Sequence, residues 1–245
     1  MSFQPPATDQ PPTVSQRLVA FFEVLLCSGF PTQLAIGGTF AALGHGAYEQ
    51  SGALSMRYVV GLSLIDSVVV IALVLGFLHV HGERPREVIV GEGPLASEAA
   101  AGVPMILVAF AIATTVAIVV RFAAPWLHTV ATNPLQGLLR STRDAWVFAF
   151  VVIIAGGIRE ELQRAFVLHR FDAWLGGGLA GVIVTSIAFG AGHIIQGADA
   201  AIATGLLGAF WGLVYLARRS AIAPMVSHAG FDLIQILAFL AARGT

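Results

Sequence analysis

The chain contains 245 residues, 57% of them hydrophobic and only 11% charged, and its mean hydropathy is +0.83. This composition excludes an ordinary soluble domain and predicts that lipid surrounds most of the chain. The formal net charge of -1 and the absence of any basic run offer no surface for nucleic acid, so we expect no nucleic-acid partner. The single cysteine, Cys27, excludes an internal disulfide and lies in an apolar stretch, which makes it a poor candidate for a thiol nucleophile.

The N-terminal segment differs in composition from the rest of the chain. Residues 1–16 are rich in proline and polar side chains, and they have neither the basic start nor the cleavage site of a secretory signal. We therefore predict a disordered polar tail over residues 1–16 and a single transmembrane helical domain over residues 17–245. The longer part shows no internal repeat and no second domain.

Seven apolar segments follow the tail, each with a composition that favours a helix. A hydrocarbon core about 30 Å thick needs roughly 20 apolar residues for each crossing, so a chain of this length can cross it several times. The sequence therefore predicts an all-α fold, a polytopic transmembrane helical bundle of about seven membrane helices. The segments are residues 18–43, 58–80, 103–120, 145–158, 179–195, 200–216 and 222–242.

The fourth of these segments continues into a charged stretch. Its apolar run is followed almost directly by Glu160 and Glu161, and no proline interrupts the chain there. We predict one helix over about residues 144–171 that carries the charged cluster inside the protein, with a kink at Gly156 and Gly157. The alternative is a helix that ends at the glycine pair and leaves the charges at the surface.

Ionisable side chains are costly inside a membrane, so each cluster of them is a candidate functional site. The first cluster is Glu160 and Glu161 with Arg164, which follows the first Glu by four residues and the second by three. On a helix both carboxylates can then reach one guanidinium. If one Glu is held by Arg164, the other is free to take a proton from water.

Two further clusters place a histidine near a second functional side chain. Phe189 and His193 lie one helical turn apart with only small residues between them, so the imidazole can bind a water or a substrate carbonyl. His228 and Asp232 also share a helix face, where the carboxylate can orient the imidazole. Together the three clusters offer the acid, base and donor groups that peptide hydrolysis by water requires.

Each cluster taken alone also has a purely structural interpretation. A Glu pair near an Arg is typical of a solvated ion-pair face, and a histidine at a helix end is typical of an interfacial or packing residue. His228 and Asp232 can equally form an interhelical clasp. Glu23 and Asp66, in the first two segments, have Ser, Thr or Gly neighbours, and we interpret them as lining a polar cleft, with a functional role as the alternative.

The order Glu-Glu…Arg, then Phe-x-x-x-His, then His-x-x-x-Asp resembles the CAAX protease and bacteriocin-processing family, which includes the Ras-converting CAAX endopeptidases. The resemblance covers about residues 145–242, which we take as the catalytic core. It implies a glutamate-dependent intramembrane endopeptidase that uses no cofactor and hydrolyses a peptide bond in a membrane-anchored protein or peptide. Candidate substrates are a C-terminal sorting tail, a prenylated terminus, or a bacteriocin or pheromone precursor.

The resemblance also implies a role for each motif residue. Glu160 would activate a water that His193 also holds, and His228 with Asp232 would face the oxyanion of the tetrahedral intermediate. Phe189 would contact the substrate. The implied catalytic residues are Glu160, Glu161, Arg164, His193, His228 and Asp232.

Two positions depart from the family pattern. Only Leu162 and Gln163 separate the Glu pair from Arg164, where the family has three residues, so the identity of the base within the pair stays open. Asp232 stands where Asn is common. Because Asp232 can donate a hydrogen bond only if it is protonated or bridged by water, we expect it to act through His228.

A metal-dependent membrane protease is the main alternative, with Glu160, His193 and His228 as zinc ligands around an open position. The sequence lacks His-Glu-x-x-His, so we expect no metal. A non-catalytic membrane scaffold or binding protein is the other alternative. We expect membrane lipid and the anchored substrate as partners and the bacterial inner membrane as the location, and arginines in alternate connections predict a cytoplasmic N-terminus.

Overall fold

The computed structural model describes residues 11–243. Within that range the regular structure is helical apart from one isolated β-bridge between Tyr48 and Leu54, so the predicted all-α membrane bundle is confirmed. Nine α-helices lie in the described range. They are α1 Val14–Leu26, α2 Phe30–Ala42, α3 Met56–Val80, α4 Leu95–Ala123, α5 Thr142–Val151, α6 Glu161–Trp174, α7 Gly178–Gly192, α8 Ala198–Arg218 and α9 Ile222–Arg243.

The first helix begins earlier than the composition suggests. The Thr13 hydroxyl accepts a hydrogen bond from the backbone N–H of Gln16, and the Gln16 side chain accepts one from the backbone N–H of Thr13. This reciprocal capping box starts α1 at Val14. The predicted tail is therefore wrong for its last residues, and residues 1–10 of it lie outside the described residues.

Among the described residues, four helical stretches are long and apolar enough to cross a membrane: α3, residues 86–123 with α4, α8 and α9. α1 and α2 together form a fifth candidate that is bent by 42°. The break lies at Gly29, whose φ of 82° favours glycine, and Pro31 follows in the first turn of α2. The other two of the seven predicted segments are helical, but α7 has only 15 residues and the fourth segment is charged.

The fourth segment is helical from Thr142 to Trp174, as the sequence predicts. A π-helical stretch, Val152–Glu160, joins α5 to α6 where the kink was expected. This stretch packs closely against α9. A Cβ added at Gly157 would lie only 2.5 Å from Cβ of Ala229. The alternative, a helix ending at the glycine pair with surface charges, is wrong.

Glycines bring neighbouring helices into backbone contact, which suits a bundle that has no hydrophobic drive for association in lipid. A Cβ at Gly190 of α7 would lie 2.6 Å from the carbonyl oxygen of Ala201 in α8. A Cβ at Gly102 of α4 would lie 2.6 Å from the carbonyl oxygen of Ala223 in α9. Two tightly packed helix pairs therefore flank the charged segment.

Ion pairs close one end of the bundle. The buried guanidinium of Arg170 donates a hydrogen bond to Glu23 at 2.6 Å and another to Glu83 at 2.6 Å. Arg218, at the end of α8, is joined to Glu98 of α4 at 2.8 Å. Glu23 is therefore the partner of a buried cation, and its predicted place in a polar cleft is wrong.

Candidate active site

The two adjacent glutamates of the first motif lie in different surroundings. Glu161 is 1% exposed, accepts a hydrogen bond from Arg164 and lies 2.7 Å from Nδ1 of His228. Glu160 keeps 21% of its side chain exposed and faces a cavity. Two basic atoms lie near its carboxylate, Nη1 of Arg159 at 3.9 Å and Nε2 of His228 at 4.0 Å, and no described residue donates a hydrogen bond to it.

The prediction that both carboxylates reach Arg164 is correct for Glu161 only. Successive residues on a helix point about 100° apart, so one guanidinium serves both neighbours only if it lies between them. Arg164 lies instead with its guanidinium carbon 4.8 Å from the ring centroid of Phe189. This cation–π contact and the bond to Glu161 together leave the carboxylate of Glu160 uncommitted.

His228 lies in the second turn of α9 and is 6% exposed. Because Glu161 can only accept, the Nδ1–H of His228 donates to it, which leaves Nε2 to face the cavity. Asp232 Oδ2 lies 3.6 Å from that Nε2, longer than a hydrogen bond. The carboxylate bonded to His228 is thus Glu161, whereas the sequence pointed to Asp232 as the carboxylate that orients the ring.

His193 follows the last residue of α7 and lines the same cavity. Its Nδ1–H donates to the carbonyl oxygen of Phe189 at 2.8 Å, so Nε2 is the ring nitrogen left for another partner. The ring of Phe189 packs edge-to-face on both imidazoles, at centroid distances of 4.8 Å for His193 and 6.3 Å for His228. The second and third motifs therefore meet at one aromatic side chain.

The cavity has a volume of about 680 Å³ and combines charged and apolar walls. Glu160, His193, His228 and Asp232 all line it, together with Phe189. Uncharged polar side chains lie elsewhere on its wall, and most of the remaining lining is apolar. These polar residues are Ser63, Asn133, Gln136, Gln196, Thr204 and Gln235.

Gly156, in the π-helical stretch, has no side chain, and two side chains of α9, His228 and Asp232, lie next to it. A Cβ at this position would be 2.8 Å from Oδ2 of Asp232 and 3.7 Å from Nε2 of His228. The glycine pair that the sequence marks as a kink thus has a second consequence. It allows the segment that carries Glu160 to approach the face of α9 on which His228 and Asp232 lie.

Two residues that contribute to the site, Arg159 and Trp211, are absent from the sequence prediction. Arg159 donates a hydrogen bond to Asp66 of α3, which is fully buried, and another to Gln163 at 2.8 Å. Asp66 is therefore an anchor for the residue preceding Glu160, and its predicted place in a polar cleft is wrong. Trp211 of α8 stacks on His228, with ring centroids 3.9 Å apart. For Trp211, the only signal in the sequence is its position among the closely spaced glycines of α8.

Among residues 11–243, no three His, Cys, Asp or Glu side chains are grouped so that they could hold a metal ion. Two of the three candidate zinc ligands, His193 and His228, have another partner at Nδ1. Nδ1 of His228 faces Glu161, and Nδ1 of His193 donates to a carbonyl. Nε2 of His228 and Oε2 of Glu160 are 4.0 Å apart.

Residues 142–234 match the family model described as Rce1-like, type II CAAX prenyl endopeptidase. The matched region contains every residue of the three motifs. The resemblance that the motifs indicate is confirmed for this region, and the match supports a CAAX-type intramembrane protease in general terms. Among curated proteins and solved structures, none matches the chain significantly.

Proposed function

We propose that this integral membrane protein is a glutamate-dependent endopeptidase in which Glu160 is the general base. One observation carries the assignment within the pair: Glu161 is committed to Arg164 and His228, whereas Glu160 faces the cavity without a hydrogen-bond donor among the described residues. A general base needs a free lone pair within reach of a water. We therefore assign Glu160, rather than Glu161, as the base.

In the proposed reaction Glu160 takes a proton from a water molecule as the water oxygen attacks the carbonyl carbon of the scissile peptide bond. The tetrahedral intermediate carries its negative charge on the former carbonyl oxygen. Glu160 then returns the proton to the departing nitrogen, and the C–N bond breaks. The products are one new carboxylate and one new amine, so the step needs no co-reactant other than water.

The imidazoles are placed to complete this chemistry. His228 donates from Nδ1 to Glu161, and its Nε2 faces the gap between Glu160 and Asp232. In its protonated form His228 would donate from Nε2 to the oxyanion. We assign His193 to the attacking water, which its free Nε2 can hold, while Glu161 acts as a positioning residue.

The cavity suits a peptide held in an environment poor in water. Its apolar walls strengthen charge interactions at the reacting carbonyl, and its amide side chains can pair with the backbone of an extended segment. Phe189 lies beside the catalytic groups and would contact the residue next to the cleaved bond. The substrate proposed is a membrane-anchored protein or peptide, and a prenylated terminus, a sorting tail or a bacteriocin precursor would each fit this description.

The proposal places the protein in the bacterial inner membrane with a cytoplasmic N-terminus. Ion pairs bring the connections that contain Arg84, Arg86 and Arg219 to one end of the bundle, where Glu23 of α1 also lies. An excess of arginine marks the cytoplasmic side of inner-membrane proteins. This end would therefore face the cytoplasm.

The activity is tested with the purified protein in detergent and an internally quenched peptide that ends in a farnesylated cysteine followed by three residues. The proposal predicts cleavage, and in ¹⁸O-labelled water mass spectrometry should find one ¹⁸O atom in the new carboxylate. A quenched peptide of the same sequence in the D configuration serves as the control. Cleavage of neither peptide, or cleavage without ¹⁸O incorporation, would contradict the proposed hydrolysis.

A further inference from the structure

Helix α8 contributes no residue to the three motifs, yet one of its side chains makes the closest ring contact with His228. The indole of Trp211 and the imidazole lie 3.9 Å apart between centroids, with an angle of 16° between their planes. Trp211 is only 1% exposed and forms part of the cavity wall. The contact is therefore a parallel stack inside the proposed active site.

The indole is itself held in place from two directions. Its Nε1–H donates a hydrogen bond to the hydroxyl of Ser227 at 3.1 Å, and Ser227 is the fully buried residue that precedes His228. The ring of Phe231 packs against the indole edge-to-face at 6.3 Å. A buried Trp with a satisfied N–H and an aromatic neighbour has little freedom to slide or tilt.

Glycines on either side of Trp211 shape α8 around the first and second motifs. A Cβ at Gly208 would lie 3.0 Å from the ring of Phe189, and a Cβ at Gly212 would lie 3.7 Å from Cδ of Arg164. The guanidinium carbon of Arg164 is 5.8 Å from the centroid of the indole ring. The side chains of Arg164 and Phe189 thus pack against the backbone of α8 at these glycines, while Trp211 extends from α8 toward His228.

The hydrogen bond to Glu161 fixes one end of the His228 ring but leaves rotation about the Nδ1–Oε1 direction. Such a rotation would swing Nε2 out of the gap between Glu160 and Asp232. A stacked indole opposes it, because the imidazole can turn only by losing contact with the flat face. We propose that Trp211 is a positioning residue that fixes the plane of His228 and so aims Nε2 at the reacting carbonyl, an inference that rests on the proposed function.

The test compares three variants on the farnesylated quenched peptide. Trp211→Leu removes the flat ring, and Trp211→Phe keeps a flat ring. Trp146→Leu makes the same Trp-to-Leu change at a position that is 58% exposed and does not line the cavity. We expect Trp211→Leu to lower kcat by about 10-fold to 100-fold with KM changed by less than about threefold, since misplacement of a catalytic group slows the chemical step. Trp211→Phe should restore kcat to within about threefold of the unaltered enzyme, and Trp146→Leu should retain it.

Three results would overturn the inference alone. A raised KM at unchanged kcat in Trp211→Leu would make Trp211 a wall of the substrate cavity. Equal losses in Trp211→Leu and Trp211→Phe that follow the unfolding temperature would make it a packing residue. If Glu160→Gln cleaves the peptide as fast as the unaltered enzyme, the proposed function fails and the inference falls with it. A Glu160→Gln variant without activity beside a fully active Trp211→Leu variant would refute the inference and leave the proposed function standing.

Discussion

His228 and Glu161 are joined by a contact of 2.7 Å between Nδ1 and Oε1, although 67 residues separate them in the chain. Glu161 also accepts a hydrogen bond from Arg164, so one buried carboxylate serves two basic side chains. This arrangement links α6 to α9. It also explains why two adjacent glutamates need not have the same function.

Replacing Glu161 should destabilise the protein as well as disturb the site. Glu161→Gln removes the only carboxylate bonded to Arg164 among the described residues, and both basic partners are buried. Removing one member of a buried ion pair costs about 3–5 kcal/mol because the remaining charge is left uncompensated. Unfolding in detergent should therefore occur at a clearly lower temperature.

A matched control for this variant is Glu49→Gln. Glu49 pairs with Arg140 at 2.9 Å, but both side chains are substantially exposed. An exposed pair contributes only about 0–1 kcal/mol, so this change should leave the unfolding temperature nearly unaltered. Equal unfolding temperatures for the two variants would show that Glu161 does not have the structural role described.

Gly156 should be required for activity rather than for folding. An alanine Cβ there would lie 2.8 Å from Oδ2 of Asp232, which is the far end of a flexible side chain and can move aside at small cost. The displaced carboxylate would crowd Nε2 of His228, so Gly156→Ala should lower kcat by about 10-fold or more with little change in unfolding temperature. Gly76→Ala is the matched control, because no atom lies within 4 Å of the added Cβ. Full activity of Gly156→Ala would contradict the geometry proposed for α9.

The buried cluster of Glu83, His169 and Arg170 predicts that the stability of the fold depends on pH. Burial acts to raise the pKa of Glu83, but hydrogen bonds from His169 and Arg170 outweigh it and hold that pKa below the usual value of 4.5. A carboxyl whose pKa is lower in the folded than in the unfolded state stabilises the fold above its unfolded pKa. That contribution is lost as the pH falls through the folded pKa.

The measurement compares the unaltered protein with Glu83→Gln in thermal unfolding series between about pH 7 and about pH 3. The two unfolding temperatures should differ at neutral pH and converge below about pH 4.5, where the wild-type carboxyl begins to take up a proton. A difference that stays constant or widens on acidification would show that Glu83 does not stabilise the fold as a carboxylate.

Removal of metal distinguishes the proposed reaction from a zinc-dependent one. Two ligand atoms of one tetrahedral zinc ion lie on the order of 3.3 Å apart, whereas Nε2 of His228 and Oε2 of Glu160 are 4.0 Å apart. Prolonged treatment with a strong chelator should therefore leave peptide cleavage unchanged. Loss of activity that zinc restores would instead assign Glu160, His193 and His228 as ligands.

Local patterns in the sequence predict much of this site. The continuation of the helix through Glu160 and Glu161 follows from the absence of proline, and the bond between Glu161 and Arg164 follows from a spacing of three residues. The shared face of Phe189 and His193 is likewise a local property of α7. These features depend on helical geometry within one segment, which a single sequence encodes directly.

Contacts between segments could not be predicted in the same way. The bond from His228 to Glu161 and the pair of Arg159 with Asp66 depend on how helices 67 and 93 residues apart in the chain pack together. Asp232 lies in the same helix as His228 and is the obvious local partner, yet the tertiary contact is the shorter one. Trp211 shows the same limit, because nothing in its own helix indicates that it stacks on a histidine of the next.

The most direct test of the account compares Glu160→Gln with Glu161→Gln and the unaltered protein in cleavage rate and unfolding temperature. Because Glu160 has no hydrogen-bond donor among the residues the structure describes, its replacement should lower kcat by about 100-fold or more while the unfolding temperature stays that of the unaltered protein. Glu161→Gln should lower both the cleavage rate and the unfolding temperature. Cleavage that persists in Glu160→Gln, or a loss of its stability equal to that of Glu161→Gln, would contradict the assignment of Glu160 as the base.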